Sequence, residues 1–223
     1  MFFGEKVTSF LFSLQLPFKL PKDVGVLDVY QQPNVQLACT RFYQQFYHNH
    51  HQRHLLLGIN PGRFGGGVTG IPFTDPIRLA NNCLIANEFT KQKELSSAFI
   101  YDMIAAFGGP ETFYQQFYIS SVSPLGFVKQ GKNLNYYDDK KLMKKIESFA
   151  ADCIQTQISF GINTNICFCI GEGENLKFLT RLNEKYKWFG SIKGLPHPRF
   201  IMQYKVKQKE AYIAHYLQTL ATK

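Results

Sequence analysis

The sequence predicts an α/β protein, a three-layer α/β/α sandwich with a short, mostly parallel central sheet. Three observations carry that expectation. Short apolar runs at residues 55–59, 118–122 and 165–170 have strand composition and are separated by stretches with the 3.6-residue period of helices. Each run stops at turn residues: Asn60-Pro61-Gly62, Ser123-Pro124 and Gly171. The 223 residues contain no internal repeat, low-complexity tract or Pro/Ser-rich linker, so a single domain over 1–223 is expected. Strands joined through helices run parallel.

The elements follow in chain order. Phe3, Val7, Phe10, Leu11 and Leu14 recur at helical spacing and predict an amphipathic helix docked on the core. Ser and Gln interrupt that stretch and no small-residue cleavage site follows, so it is not read as a leader. No run approaches the roughly 18 apolar residues that a membrane span needs. Residues 38–47 have a helical pattern. Next comes the polar patch HNHHQRH, which holds His48, His50, His51 and His54. It lacks an acidic or cysteine partner and reads as a loop rather than a metal site.

Residues 55–59 form the first core strand, apolar on both faces. Over 97–107, Phe99, Met103, Ile104 and Phe107 share one helical face, and Gly108-Gly109 provides the stop. Pro110 opens a short helix reaching Phe117. A strand over 118–122 precedes the polar loop KQGKNLNYY and a long helix over 138–157. NICFCI is the third buried strand. A helix over 174–187, a short strand over 191–193, the loop GLPHPRF and an amphipathic helix over 207–220 complete the chain. Ligands of such sheets bind beyond the carboxyl ends of the strands. The segments after Ile59, Val122 and Lys193 should therefore meet at one crevice.

Lys and Arg exceed Asp and Glu by 25 to 16, a net charge of +9 that favours phosphate-bearing partners. The five cysteines are odd in number and form no CxxC pair, so neither a disulfide framework nor a metal ligand set is expected, and a reducing cytoplasm fits. No cofactor signature survives inspection. The glycine loop lacks the Lys-Ser or Lys-Thr of a phosphate loop, and Gly171-Glu172-Gly173 lacks the third glycine of a dinucleotide fingerprint. Asp75, Asp102, Asp138 and Asp139 do not pair as catalytic carboxylates, and no nucleophile elbow occurs.

The densest signal is LLLGINPGRFGGGVTGIPF at 55–73. Read on residue types alone, Asn60-Pro61-Gly62 is a turn and Phe73 a core aromatic. An amide, a backbone stripped of side chains and an aromatic presented by a proline also describe a slot for a flat polar ring such as a nucleobase.

The segment Gly58-Ile59-Asn60-Pro61-Gly62-Arg63-Phe64-Gly65, followed at the same thirteen-residue offset by Gly70-Ile71-Pro72-Phe73, resembles the uracil-DNA glycosylase superfamily, in particular its single-strand-selective monofunctional branch. His197-Pro198 matches the family's second motif. Ser123-Pro124-Leu125, Gly131-Lys132-Asn133-Leu134 and Lys193-Gly194-Leu195 fall in family order between and before these.

The resemblance implies a hydrolase that flips a damaged base from DNA and cuts its N-glycosidic bond, with no cofactor and no metal. Asn60 would position the attacking water, and His197 would donate to the carbonyl of the departing base. Phe73 would stack on the ring, and Ile59, Gly62, Phe64 and Gly66 would surround it. Ser121 takes the base-reading position that better-known members fill with asparagine, which implies looser selection of uracil and room for xanthine or hypoxanthine. Arg63, Lys132, Lys193, Lys205 and Lys207 would grip phosphates, with Pro198, Arg199, Phe200 and Ile201 forming the loop that enters DNA and fills the gap left by the base. A monomer is expected. Two other readings stay open: a non-catalytic nucleic-acid-binding protein that keeps the pocket, and a hydrolase of free nucleosides.

Overall fold

The computed structural model describes residues 1–222. In chain order the elements are α1 (Phe3–Phe12), β1 (Val24–Leu27), α2 (Pro33–Tyr47), β2 (Arg53–Gly58), α3 (Gly66–Thr69), α4 (Pro76–Asn81), α5 (Leu95–Phe107), α6 (Pro110–Gln116), β3 (Phe117–Ser121), β4 (Gly126–Lys129), β5 (Lys132–Leu134), α7 (Lys140–Ile158), β6 (Ile162–Ile170), α8 (Glu174–Tyr186), β7 (Ser191–Leu195), α9 (Pro198–Tyr204) and α10 (Lys209–Leu220).

Four parallel strands in the order β3-β2-β6-β7 form the central sheet, and helices flank it. Leu55, Leu56 and Leu57 on β2 are all fully buried, because a strand with neighbours on both edges and helices against it has no wet face. The apolar face of α1 closes one side of the core, where Phe3 packs on Tyr47 and edge-on to Tyr118. Arg53, fully buried, pins this corner by donating to the Tyr114 carbonyl at 2.7 Å while its guanidinium lies over Phe3 and Tyr47. All five cysteines are buried and unpaired, and burial raises each thiol above the ordinary cysteine range.

The structure departs from the sequence reading in two places that matter to the site. The expected loop KQGKNLNYY is a hairpin: β4 and β5 pair antiparallel and, with β1, build a second sheet of three strands. Gln130 and Gly131 join them with φ of 49° and 71°, the doubly left-handed turn that matches the twist of two-residue hairpins. The expected loop GLPHPRF is also ordered. Its first part completes β7, and Pro198 opens α9 at a position where a missing N–H costs nothing. Smaller shifts follow from caps: Asp139 caps α7 through Lys141 and Leu142, so that helix starts two residues later than expected.

Candidate active site

The carboxyl ends of the four parallel strands open into a cavity of about 610 Å³. Parallel pairing continues beyond the strands themselves. Val122 N–H donates to Gly58 at 2.9 Å and Ser123 N–H to Ile59 at 3.1 Å, which ties the loop after β3 to the loop after β2. Across the sheet, Gly171 N–H donates to Leu195 at 2.7 Å and holds the β7 exit beside β6. The three post-strand segments therefore meet at one crevice, as expected for this architecture.

Asn60 sits at the exit of β2 with its amide locked at both ends. Oδ1 accepts from the Tyr136 N–H at 3.0 Å, and Nδ2 donates to the Leu134 carbonyl at 3.2 Å. A backbone N–H can only donate, so the amide orientation is unambiguous. Oδ1 keeps a second lone pair, and Asn60 lines the cavity.

Phe73 is held across the same space in an unusual backbone state, φ 52°, which few aromatic residues adopt. Thr69 and Thr74 hold it there. The Thr69 hydroxyl donates to the Thr74 carbonyl at 2.6 Å, and the Thr74 hydroxyl meets Tyr101 at 3.0 Å. The ring lies against Gly58, where a Cβ would come within 2.8 Å of it.

The other glycines of the loop serve backbone packing more than the cleft. A Cβ on Gly62 would face the Asn133 amide, one on Gly66 the Ile71 carbonyl, and one on Gly67 the Gly62 carbonyl. Their missing side chains make room for protein atoms. Gly62 and Gly66 still line the cavity, as do Ile59, Phe64 and Ser121.

His197 comes from the β7 exit and caps α9. Its Nδ1 accepts from the Arg199 N–H at 3.2 Å, which leaves the proton on Nε2 when the ring is neutral. Burial, reinforced by the Arg199 charge, lowers its pKa to about 4, so the ring is neutral at pH 7. Its centroid is 6.0 Å from that of Phe73. The Tyr216 hydroxyl donates to the Pro196 carbonyl and fixes the segment from behind.

The residues expected to contact DNA divide. Arg199 and Phe200 line the cavity rim, with Phe200 45% exposed. Arg63, Lys132, Lys205 and Lys207 are exposed. Ile201 is a correction: α9 turns it inward and buries it completely, so it cannot insert between bases. Pro198 is buried too and acts as the first residue of α9. The Lys193 ammonium donates to the Thr222 hydroxyl at 2.7 Å and is directed at the end of the chain rather than the cavity. The histidine patch packs locally, with His48 and His50 against the Phe2 ring at 3.9 and 4.9 Å. Among the described residues, no three His, Cys, Asp or Glu side chains gather as a metal site, and no helix is long and apolar enough to cross a membrane.

Sequence reasoning missed several cavity residues. Asn133, Asn135 and Tyr137 arrive on and just after the hairpin, Asn175 on the first turn of α8, and Tyr204 at the end of α9, 67% exposed and 5.8 Å from Phe200. The Asn-Tyr-Tyr run was visible but carried no spacing that marked it.

An amide carbonyl, a neutral imidazole and an aromatic ring lining one cavity define a site for a planar heterocycle. The chain belongs to the uracil DNA glycosylase superfamily, whose family model matches residues 45–221. Members of that superfamily are DNA glycosylases, hydrolases of base-excision repair. The chain is similar to a crystal structure of wild-type SMUG2 from Pedobacter heparinus, with 44% identity and a TM-score of 0.96 over 100% of this chain and 98% of that one.

Proposed function

We propose that this protein is a monofunctional DNA glycosylase that takes a deaminated base, uracil first, into the cavity and hydrolyses its N-glycosidic bond. The observation that carries the reading is the meeting of Asn60 and Phe73, from the loop after β2, with His197, from the exit of β7, around one hollow. Phe73 stacks on the extruded ring. As the C1′–N bond breaks, its electron pair stays on the base and negative charge collects on a ring carbonyl. The His197 Nε2–H donates to that oxygen. A neutral donor suits the task, because it stabilises charge without having to give up a proton. Water held on the free lone pair of Asn60 Oδ1 then adds to the cationic sugar carbon and loses its proton to solvent. An amide is a poor base, so bond breaking leads and water follows. The proposed residues include no lysine nucleophile, and the backbone strand stays intact.

Ser121, at the end of β3, is short and its hydroxyl both donates and accepts. It imposes no fixed donor and acceptor pair on the base edge and leaves space for a bicyclic ring, which supports xanthine and hypoxanthine as further substrates. Arg63, Lys132, Arg199 and Lys205 contact phosphates, while Phe200, with Tyr204 beside it, faces the bases next to the extruded one. All of these groups belong to one chain, so a monomer suffices.

Oligonucleotides that each carry one uracil, hydroxymethyluracil, xanthine or hypoxanthine, treated with protein and then hot alkali, test the reading. Alkali-dependent cleavage supports it, and release of uracil alone removes the purine extension. Binding without cleavage points to a recognition module, and turnover of mononucleosides only points to a nucleoside hydrolase.

A further inference from the structure

We propose that Asn175 and Tyr136 are positioning residues that fix the Asn60 amide to the carboxyl end of the sheet. The inference rests on the glycosylase reading for its kinetic consequence, and on hydrogen-bond geometry alone for its structural one. The two shorter bonds of the Asn60 side chain go to backbone of a single short segment, at Leu134 and Tyr136, and Nδ2 makes only a longer one, 3.4 Å, to the neighbouring Pro61 carbonyl. The orientation of the amide is therefore inherited from wherever that segment lies. The segment leaves a three-residue strand of the small sheet; among the described residues its backbone makes no hydrogen bond to β2 or β6, and Asn133 Oδ1 ties it only to the loop beyond β2, accepting from the Arg63 N–H at 3.0 Å.

What anchors it is a side chain. The fully buried Tyr136 hydroxyl donates to Asn175 Oδ1 at 2.7 Å. Asn175, 1% exposed, spends its Nδ2 on the Ile170 carbonyl at 3.2 Å and on Cys169 Sγ at 3.2 Å, with the Leu57 carbonyl at 3.5 Å. Those acceptors lie at the carboxyl ends of β6 and β2. A continuous path thus runs from the sheet through Asn175 and Tyr136 to Asn60.

A buried Asn–Tyr pair is a costly way to fill space, since Leu and Phe would pack there with nothing to satisfy. What the polar pair adds is direction. Its two members sit 39 residues apart and join two elements that the sheet pairing leaves separate. Neither contacts the reacting atoms in this arrangement. They act through Asn60, and a misplacement of about 1 Å at such a group costs on the order of 100-fold in rate.

Tyr136→Phe removes one hydroxyl and little volume, and Asn175→Ala removes the anchor. Each is to be compared with wild type by single-turnover uracil release, DNA affinity, thermal melting and NMR of the Asn60 side-chain NH₂ and the Tyr136 backbone amide. The expected result is a kcat loss of about 10- to 100-fold with KM and DNA affinity little changed. Shifted Asn60 NH₂ signals and faster exchange at the Tyr136 amide should accompany it. In an Asn60→Ala background, Tyr136→Phe should bring no further loss, because residues acting through one group are not additive. Folded variants with wild-type kcat, or losses that multiply independently of Asn60, would overturn the proposal. If wild-type protein releases no base, the glycosylase reading falls by itself. The NMR arm then decides alone, and unchanged Asn60 and Tyr136 signals in both variants would sink the positioning role.

Discussion

His197 shows how one residue's surroundings set its chemistry. With Nδ1 occupied by the Arg199 N–H and its pKa lowered to about 4, this cavity-lining ring keeps a neutral Nε2–H across the physiological range. Because the unfolded chain binds a proton near pH 6.5 and the folded one does not until about 4, stability contributed by this group is complete above 6.5 and is lost as pH falls through that window. Wild type should therefore lose stability relative to His197→Ala between those pH values, and the imidazole resonances should titrate near the lower one. A midpoint at the ordinary histidine value would refute the assigned environment. For turnover, His197→Ala should cost about 100- to 1000-fold in kcat, the scale of losing one donor to a developing oxyanion. Asn60→Ala should lose turnover as well. Both should retain salt-sensitive DNA affinity, measured by fluorescence anisotropy.

At the scale of elements, the loop between β2 and α4 is built to hold one ring. Gly58 admits the Phe73 edge, and the threonine pair keeps Phe73 left-handed. Gly58→Ala should force that ring aside, destabilise the fold by about 1–3 kcal/mol and lower base release; calorimetry and the oligonucleotide assay would read the two effects. The elements that the sequence made legible were those with strong local signals. β2, β3 and β6 announced themselves as apolar runs closed by turn residues, and α5 as a periodic face with a glycine stop. The β4–β5 hairpin escaped because its second strand is three residues long and carries Lys132 and Asn133 on a surface with no buried face to impose alternation. α9 escaped because His197-Pro198 resembles a loop until Pro198 is placed at a first helical position. In the site, Asn60, Phe73 and His197 could be read from motif spacing. Asn175 and Tyr136 could not, since a side chain that hydrogen-bonds to backbone or to one distant partner leaves no periodic trace.

Over the whole molecule, the net charge of +9, the exposed Arg63, Lys132 and Lys205, and Arg199 at the cavity predict DNA binding that weakens steeply with salt. Replacing Arg199 or Lys205 by alanine should reduce the slope of log K against log salt by about 1 each, whereas Lys193→Ala, whose ammonium is spent on Thr222, should leave it unchanged. The sheet order makes the cavity a joint product of distant parts: β2 supplies Asn60, β7 leads to His197, and β6 lies between them. No contiguous stretch of sequence contains that arrangement.

The sequestered sulfurs give this molecule an internal clock. With every thiol inside and reluctant to ionise, iodoacetamide can reach them only when the protein opens, so the alkylation rate under native conditions should follow unfolding, and a tightly bound oligonucleotide should slow all five sites together.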